Sequence, residues 1–250
     1  MRVNQLKADK ARKWVERFDS DLHADIEKCQ TFTSLDGRQP TKTYNATRCV
    51  VLPYDVLSAI SVVADRKLAD RLCVLNFASY HTPGGGFIRG MTAQEEDLCH
   101  SSGLYPLLAA HQDDWYTPHR LSFSPVNGSD FIYSTDVPFY VGGEVVHADV
   151  LTMAAVNFRH VDEATQGNWA RARMDARMEI AYSIPAAFGC DVVMLGAWGC
   201  GVFKNDPRLV ANKWNELFQK NAGMYKLVLH PVPYGKNFVE FERVFGSVRL

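Results

Sequence analysis

The chain has 250 residues, of which 47% are hydrophobic, a share that is typical of a folded protein and excludes a disordered chain. Its 27 basic and 28 acidic residues leave a net charge of −1, which disfavours a duplex DNA binder held by phosphate contacts. No apolar run approaches the roughly 20 residues that cross a bilayer, and the charged N-terminus lacks the apolar segment of a signal peptide. We therefore expect a soluble, intracellular monomer with no membrane partner.

The N-terminal part of the chain is predicted to be a helical extension. Apolar side chains recur at helical spacing over residues 5–29, which predicts an amphipathic helix whose apolar stripe packs on the rest of the protein. Residues 31–47 are polar and predict a loop. We expect residues 1–48 to form this extension and residues 49–250 to form one domain.

From residue 48 onward, short apolar strands alternate with helices. The predicted strands lie at residues 48–52, 72–78, 131–133, 148–156, 191–197 and 225–231. The predicted helices follow Asp55, span residues 94–111 and 162–188, and begin again at Pro207, where Asn205 or Asp206 caps the first turn. This alternation predicts an α/β fold with a mixed, largely parallel sheet flanked by helices on both faces.

The six cysteines show neither the spacing of a metal site nor that of a disulfide framework. None forms a Cys-x-x-Cys pair, and several lie in apolar runs, where a thiol is usually a small core residue. We expect reduced thiols, no metal and no cofactor. The six are Cys29, Cys49, Cys73, Cys99, Cys190 and Cys200.

Two glycine-rich loops each follow a predicted strand. One holds three consecutive glycines at residues 84–86, and the other spans residues 198–203. Open α/β sheets bind ligands beyond the carboxyl ends of their strands, and glycines let the backbone approach a phosphate. Two such loops on neighbouring strands suit a diphosphate, although a tight turn without a ligand accounts for each loop alone equally well. Neither loop is a Walker sequence or a dinucleotide fingerprint.

Gln94, Glu95 and Glu96 open the helix after the first glycine loop. Acidic residues in a first turn normally only complement the helix dipole. Because successive helical residues point about 100° apart, we expect one glutamate to face a ligand while the other braces it. A helix N-terminus lowers the pKa of a carboxyl group, whereas a general acid needs a raised pKa, so a neighbouring carboxylate and exclusion of water would have to raise it.

Together these segments resemble the signature of the microbial-type poly(ADP-ribose) glycohydrolases, a Gly-Gly-Gly run followed at short spacing by Gln-Glu-Glu. Residues 74–87 and 94–106 carry the signature, and residues 133–138 and 195–207 are similar to further family segments in the same order. The resemblance runs from about residue 49 to the C-terminus and implies a macrodomain-like catalytic domain with an ADP-ribose cleft over the sheet. Tyr80 and His81 depart from the family pattern at the expected cleft rim, and the tail after His230 follows it less closely.

The resemblance also implies a role for each candidate site residue. Glu96 is the implied acid/base, and Glu95 is expected to hold ribose hydroxyls and the leaving group. Asn76 is expected to contact the distal ribose, and Asp55 the adenine. The other implied substrate-binding residues are Gly84, Gly85, Gly86 and Gln94 in the first segment and Gly199, Cys200, Gly201, Val202 and Phe203 in the second. Of these, residues 199–202 are expected to present backbone N–H groups to the phosphates, and Phe203 to pack on the distal ribose.

The implied activity is that of a metal-independent glycosidase. It hydrolyses the ribose–ribose O-glycosidic bonds of poly(ADP-ribose), or acts on an ADP-ribosylated macromolecule, and releases ADP-ribose. Two alternatives stay open. A mono-ADP-ribosyl hydrolase acting on protein or nucleic-acid acceptors would present the same distal ribose. A non-catalytic ADP-ribose-binding module would not need the glutamate pair.

The remaining candidates favour structural roles. Cys99 and His100 are adjacent in a helix and diverge, which disfavours a nucleophile pair. His147, His160 and His230 lack convergent ligand partners in the sequence. Trp115 and Tyr116 are expected to cover the core rather than to stack on a base.

Overall fold

The protein is described by a computed structural model that covers residues 2–18, 20, 22–41, 43–122, 129–247 and 250. Its strands are β1 (Thr31–Phe32), β2 (Arg48–Leu52), β3 (Leu72–Phe77), β4 (Ile132–Val141), β5 (Glu144–Met153), β6 (Val192–Met194) and β7 (Leu227–Pro231). Within the described residues they form one sheet in the order β1-β4-β5-β3-β6-β7-β2. The five strands β5, β3, β6, β7 and β2 are parallel to their neighbours in this series. β4 pairs with β5, and β1 with β4, in antiparallel orientation.

Helices cover both faces of this sheet. They are α1 (Arg2–Phe18), α2 (His23–Ile26), α3 (Val56–Asp65), α4 (Gln94–His100), α5 (Leu104–Ala109), α6 (Thr117–Ser122), α7 (Glu163–Ala187), α8 (Pro207–Lys220) and α9 (Lys236–Phe245). One apolar cluster joins the sheet to α7, α8 and α9, and a second joins it to α1, α3, α4 and α5. The predicted fold class, a mixed and largely parallel sheet flanked by helices on both faces, is confirmed.

The N-terminal helix is shorter than predicted. α1 ends at Phe18 and a separate short helix, α2, follows, while Asp19 and Asp21 lie outside the described residues. The apolar stripe packs on the domain as expected: Phe18 is buried, and the Trp14 indole Nε1 donates to the Ser102 carbonyl oxygen at 3.2 Å. The predicted loop at residues 31–47 holds the two-residue strand β1, which pairs with β4.

The structure adds a β-hairpin that the sequence analysis predicted only in part. The strands expected at residues 131–133 and 148–156 are the far ends of two ten-residue strands, β4 and β5. They are joined by Gly142 and Gly143, whose φ angles of +61° and +85° are those that a tight hairpin turn requires.

Two predicted helical segments also differ from the structure. The segment at residues 94–111 breaks between α4 and α5, where the Ser102 hydroxyl donates to the Leu98 carbonyl oxygen at 2.7 Å and accepts from the Leu104 N–H at 3.1 Å. The segment after residue 231, for which we predicted no element, contains the helix α9. Among the described residues, none of the helices has the length and hydropathy needed to cross a bilayer.

Candidate active site

A cavity of about 1140 Å³ lies at the carboxyl ends of the parallel strands. The segments that follow β2, β3, β5, β6 and β7 all contribute to its walls, as expected for an open α/β sheet. It contains both glutamates and most of the glycines predicted from the sequence. Its lining includes Asp55, Gly85, Gly86, Gln94, Glu95, Glu96, Gly199, Gly201, Val202 and Phe203.

Gln94 connects the helix α4 to the end of β3 through two hydrogen bonds. Its side-chain Oε1 accepts from the Phe77 N–H at 2.9 Å, and its Nε2 donates to the Leu75 carbonyl oxygen at 2.8 Å. Leu75 and Phe77 belong to the last three positions at which β3 pairs with β5. The amide of Gln94 is therefore engaged with the protein, although the residue lines the cavity.

We expect Gln94→Ala to lower the free energy of unfolding by about 1–3 kcal/mol, because the variant leaves two part-buried backbone groups without partners. Urea denaturation of both proteins measures the difference. Gln5→Ala on the exposed face of α1 is the control, and it should stay within about 0.5 kcal/mol of wild type. Equal losses in the two variants would show that Gln94 does not hold the strand.

Glu95 is buried and both of its oxygens are held. Its Oε2 accepts from the Ser79 N–H at 2.7 Å, and its Oε1 faces the Asn76 side-chain Nδ2 at 3.4 Å. Burial, with a smaller contribution from the neighbouring charge of Glu96, raises the pKa of the Glu95 carboxyl to about 8 against the opposing effect of its hydrogen bonds. The Glu95 carboxyl therefore binds a proton at neutral pH in the free protein.

This raised pKa predicts a specific pH dependence of stability. A carboxyl group that binds its proton more tightly in the folded chain than in the unfolded chain destabilises the fold progressively as the pH rises, here between about 4.5 and about 8. Relative to Glu95→Gln, which cannot ionise, wild type should lose a few kcal/mol of unfolding free energy between pH 5 and pH 8.5.

Urea denaturation of the two proteins at both pH values gives this difference. Because other groups titrate over the same range, the unfolding free energy of Glu95→Gln is compared with that of wild type at the same pH. The change in this difference between the two pH values is then attributed to Glu95. Glu144→Gln, an exposed position on β5, is the control and should show no such trend. Parallel stability curves for wild type and Glu95→Gln would contradict the predicted protonation of Glu95.

Glu96 is held by only one of its oxygens. Its Oε1 accepts from the Gly86 N–H at 2.7 Å, and among the described residues its Oε2 has no hydrogen-bond partner. The side chain is 7% exposed and lines the cavity. Glu96 thus has one oxygen that is free to bind a ligand, whereas both oxygens of Glu95 accept hydrogen bonds from the protein.

The first glycine loop brings the two carboxylates together. Gly85 adopts a φ of +60°, and a β-carbon built on it would lie 2.6 Å from Glu96 Oε1 and 3.0 Å from Glu95 Oε2. The two side chains therefore converge on one glycine, although they are adjacent in a helix. Gly84, at a φ of +63°, packs against Tyr105 and Cys99 instead and does not line the cavity.

The second glycine loop presents free backbone donors to the cavity. Gly199 adopts a φ of +74°. The Asn205 side-chain Nδ2 donates to the Gly199 carbonyl oxygen at 3.2 Å and to the Val156 carbonyl oxygen at 2.8 Å. Among the described residues, no protein acceptor binds the N–H groups of Gly199, Gly201, Val202 and Phe203. Unpaired amides of this kind in the wall of a cavity are suited to bind an anion.

Two predicted site residues are turned away from the cavity. The Cys200 N–H donates to the Ala197 carbonyl oxygen at 3.1 Å, so it is not free for a phosphate as expected. The Asn76 side chain is fully buried behind Glu95, where its Nδ2 also donates to Thr152 Oγ1 at 3.2 Å. In the free protein Asn76 supports Glu95 rather than facing a ribose, and its Oδ1 has no hydrogen-bond partner within the described part of the chain.

Asp55, the residue expected to contact the adenine, lines the cavity and caps the helix α3. Its Oδ1 accepts from the Ser58 N–H at 2.8 Å and its Oδ2 from the Ser58 hydroxyl at 3.1 Å. Both contacts place the carboxylate at the start of the helix. The second lone pairs of its oxygens can still accept from a ligand.

His230 shapes the second loop from behind. Its Nδ1 accepts from the Gly196 N–H at 3.2 Å, and burial lowers the pKa of this imidazole to about 3, so the ring stays neutral. The Trp214 indole donates to the Gly196 carbonyl oxygen at 3.0 Å. The turn that ends β6 is therefore fixed by two aromatic side chains. The lone His230 of the sequence gave no signal of this role.

Part of the cavity wall was not predicted from the sequence. Residues 231–237 form a wall after β7, and Tyr234 in it is 77% exposed. On the other side, Arg89 and Met91 line the cavity between the first glycine loop and α4. The glycine-rich signature was too short to include either stretch.

Several other candidates lie in the core. Trp115 and Tyr116 are buried, which confirms the expectation that they cover the core. Tyr80, expected at the cleft rim, is also buried and stacks on Trp115 with ring centroids 5.7 Å apart. Cys99 is buried, and among the described residues no group of histidine, cysteine or acidic side chains has the arrangement of a metal site.

Comparisons with known proteins agree with this architecture. The family model "Microbial-type PARG, catalytic domain" matches residues 4–141, more than half of the chain and including most of α1. A search of curated proteins found no match.

Solved structures resemble nearly the whole chain. Poly(ADP-ribose) glycohydrolase from Thermomonospora curvata is 27% identical, with a TM-score of 0.85, over 96% of this chain and 100% of that one. The Deinococcus radiodurans enzyme in complex with ADP-ribose is 30% identical, with a TM-score of 0.80, over 91% of this chain and 98% of that one. The Thermomonospora curvata enzyme bound to the inhibitor ADP-HPD is 26% identical, with a TM-score of 0.82, over 96% of this chain and 99% of that one. From the family match and these structures, the chain belongs to the microbial-type poly(ADP-ribose) glycohydrolase family, whose members are glycosidases with a macrodomain-like fold.

Proposed function

We propose that this chain hydrolyses the ribose–ribose O-glycosidic bonds of poly(ADP-ribose), releases ADP-ribose, and uses Glu96 as the acid/base. The observation that carries the proposal is the difference between the hydrogen bonds of the two glutamates. Glu95 has both oxygens bound within the protein, whereas Glu96 has one oxygen anchored to the Gly86 amide and the other without a described partner in the cavity wall.

The free amides of the second loop are suited to the diphosphate of the terminal unit. Four N–H groups, those of Gly199, Gly201, Val202 and Phe203, lack protein acceptors among the described residues. Phosphate oxygens bound there fix the distal ribose relative to the carboxylates. Phe203, which lines the cavity, packs against that ribose in this proposal. Asp55 is then the proposed acceptor for the adenine at the other end of the cavity.

The chemistry we propose needs one proton on the glutamate pair. Two carboxyl groups that converge on one glycine disfavour double ionisation, so the pair retains a proton at neutral pH. When substrate binds, this proton passes from Glu95 to Glu96, and Glu96 gives it to the departing ribose oxygen as the bond to C1″ of the distal ribose breaks. The oxocarbenium-like centre is stabilised by the nearby diphosphate, and a water molecule attacks C1″ while Glu96 takes its proton. The products are ADP-ribose and a chain shortened by one unit.

This mechanism differs from that of the usual two-carboxylate glycosidase. There the second carboxylate acts as nucleophile or activates the water. Here Glu95 is bound to Ser79 and Asn76, so its proposed task is to hold the ribose hydroxyls and to raise the proton affinity of the pair. The substrate's own phosphates share the electrostatic stabilisation.

The molecular context follows from the same features. Both loops and both carboxylates come from one chain, which supports a monomer as the working unit. The six free thiols are typical of a reducing, intracellular compartment. We propose that residues 1–48 are an extension packed on the catalytic domain of residues 49–250, consistent with the contact between Trp14 and Ser102.

The test is release of ADP-ribose from purified poly(ADP-ribose), followed by chromatography, in the presence of EDTA. Release together with chain shortening is the expected result. Binding of ADP-ribose without release from any substrate would indicate a binding module. Release from a mono-ADP-ribosylated acceptor without chain shortening would indicate a mono-ADP-ribosyl hydrolase.

A further inference from the structure

A single turn of backbone joins the first glycine loop to Arg89. The residues Phe87–Arg89 form a 3₁₀ turn in which the Arg89 and Met91 N–H groups both donate to the Gly86 carbonyl oxygen, at 3.0 and 3.1 Å. Gly90 closes the turn at a φ of +73°. The N–H of the same Gly86 binds Glu96. The backbone of Arg89 is thus fixed relative to Gly86, whose N–H binds the carboxylate proposed to protonate the leaving group.

The Arg89 guanidinium is available to a ligand. It is exposed, it lines the cavity, and it makes no hydrogen bond or ion pair with any described residue, although two glutamates lie in the same wall. Guanidinium groups are always charged and offer planar donors that match phosphate oxygens. Lys236, the other cation among the described lining residues, follows β7, which is two strands away from β3 in the sheet.

We propose that Arg89 binds the diphosphate of the ADP-ribose unit on the leaving side of the scissile bond, and so selects a poly(ADP-ribose) chain over an isolated ADP-ribosyl group. This inference rests on the proposed function. The diphosphate of the terminal unit has its own neutral donors in the second glycine loop, after β6. Arg89 lies instead in the wall that follows β3, three residues from the Gly86 whose N–H binds Glu96, and this is the side on which we place the departing unit. In a chain, the departing ribose carries a diphosphate of its own. A small uncharged leaving group carries none.

The test compares two substrates in wild type, Arg89→Ala and Arg89→Lys. One substrate is poly(ADP-ribose), and the other is ADP-ribose with a small neutral aryl leaving group at C1″. We expect Arg89→Ala to lower kcat/KM about tenfold for the chain and less than about twofold for the aryl substrate. The affinity for free ADP-ribose should change less than about twofold. Arg89→Lys should recover part of the loss, and the difference between the substrates should shrink in high salt.

Arg66→Ala is the charge control, because Arg66 is exposed and lies outside the cavity lining. It should leave both substrates unaffected. Equal losses on the two substrates with weakened ADP-ribose binding would place Arg89 on the terminal unit and overturn the proposal, as would no loss on either substrate. If wild type cleaved neither substrate, the proposed function would be overturned, and this inference with it.

Discussion

Replacement of Glu96 by glutamine is expected to reduce ADP-ribose release from poly(ADP-ribose) by about 10³-fold, within the 10²–10⁴-fold range typical of a lost general acid/base. Glutamine keeps the length of the side chain and can still accept the Gly86 N–H bond, which is 2.7 Å in wild type. It can neither give nor take a proton. The affinity for ADP-ribose should therefore stay within a few-fold of wild type.

Single-turnover release and ADP-ribose binding by calorimetry separate these two effects. Asp97→Asn is the matched control, since Asp97 is the next acidic residue of the same first helical turn and also lines the cavity. It removes a negative charge without touching the proposed proton donor, and it should stay within about threefold of wild type. Retained turnover in Glu96→Gln would refute the assignment, and loss of binding with a disordered protein would make Glu96 structural.

Gly85→Ala is expected to cost at least about 10²-fold in kcat/KM. Two effects act together. Alanine at a φ of +60° is strained by about 1–2 kcal/mol, and its β-carbon would lie 2.6 Å from Glu96 Oε1 and 3.0 Å from Glu95 Oε2. The loop or the carboxylates must move, and a displacement of about 1 Å near the reacting atoms is enough for a loss of this size.

The hairpin between β4 and β5 provides a control with the same backbone conformation. Gly142 has a φ of +61°, and the nearest heavy atom to a β-carbon there is Ser61 Oγ at 3.8 Å. Gly142→Ala should lose only the stability due to the backbone strain, about 1–2 kcal/mol in urea denaturation, and keep full activity. If Gly85→Ala and Gly142→Ala were equally active, the approach of the two carboxylates to Gly85 would not matter for catalysis.

The fold class was predictable because each element carries a local pattern. The strand at residues 48–52 was predicted with its observed bounds, since a short apolar run that ends at a proline is typical of a buried strand. The same reasoning found only parts of β4 and β5, although Gly142 and Gly143 are a hairpin signal in their own right. At the break between α4 and α5, the Ser102 hydroxyl bonds to its near neighbours Leu98 and Leu104, while its backbone accepts from Trp14 and bridges to Phe139. No local pattern predicts these last two contacts, because both residues are distant in the chain.

For the site, the sequence by itself determined which chemical groups are present and where the backbone forms glycine turns. Glycines are needed where φ is positive, as at Gly85 and Gly199, and carboxylates in a first helical turn lie near such a loop. Only the tertiary structure decided which of these groups are free. It engages the Gln94 amide and the Cys200 N–H within the protein, buries Asn76 behind Glu95, and leaves Arg89 unpaired among the residues that the structure describes. The physical reason is that burial and hydrogen-bond saturation come from strands and loops far apart in the chain, so they exist only once the sheet has assembled.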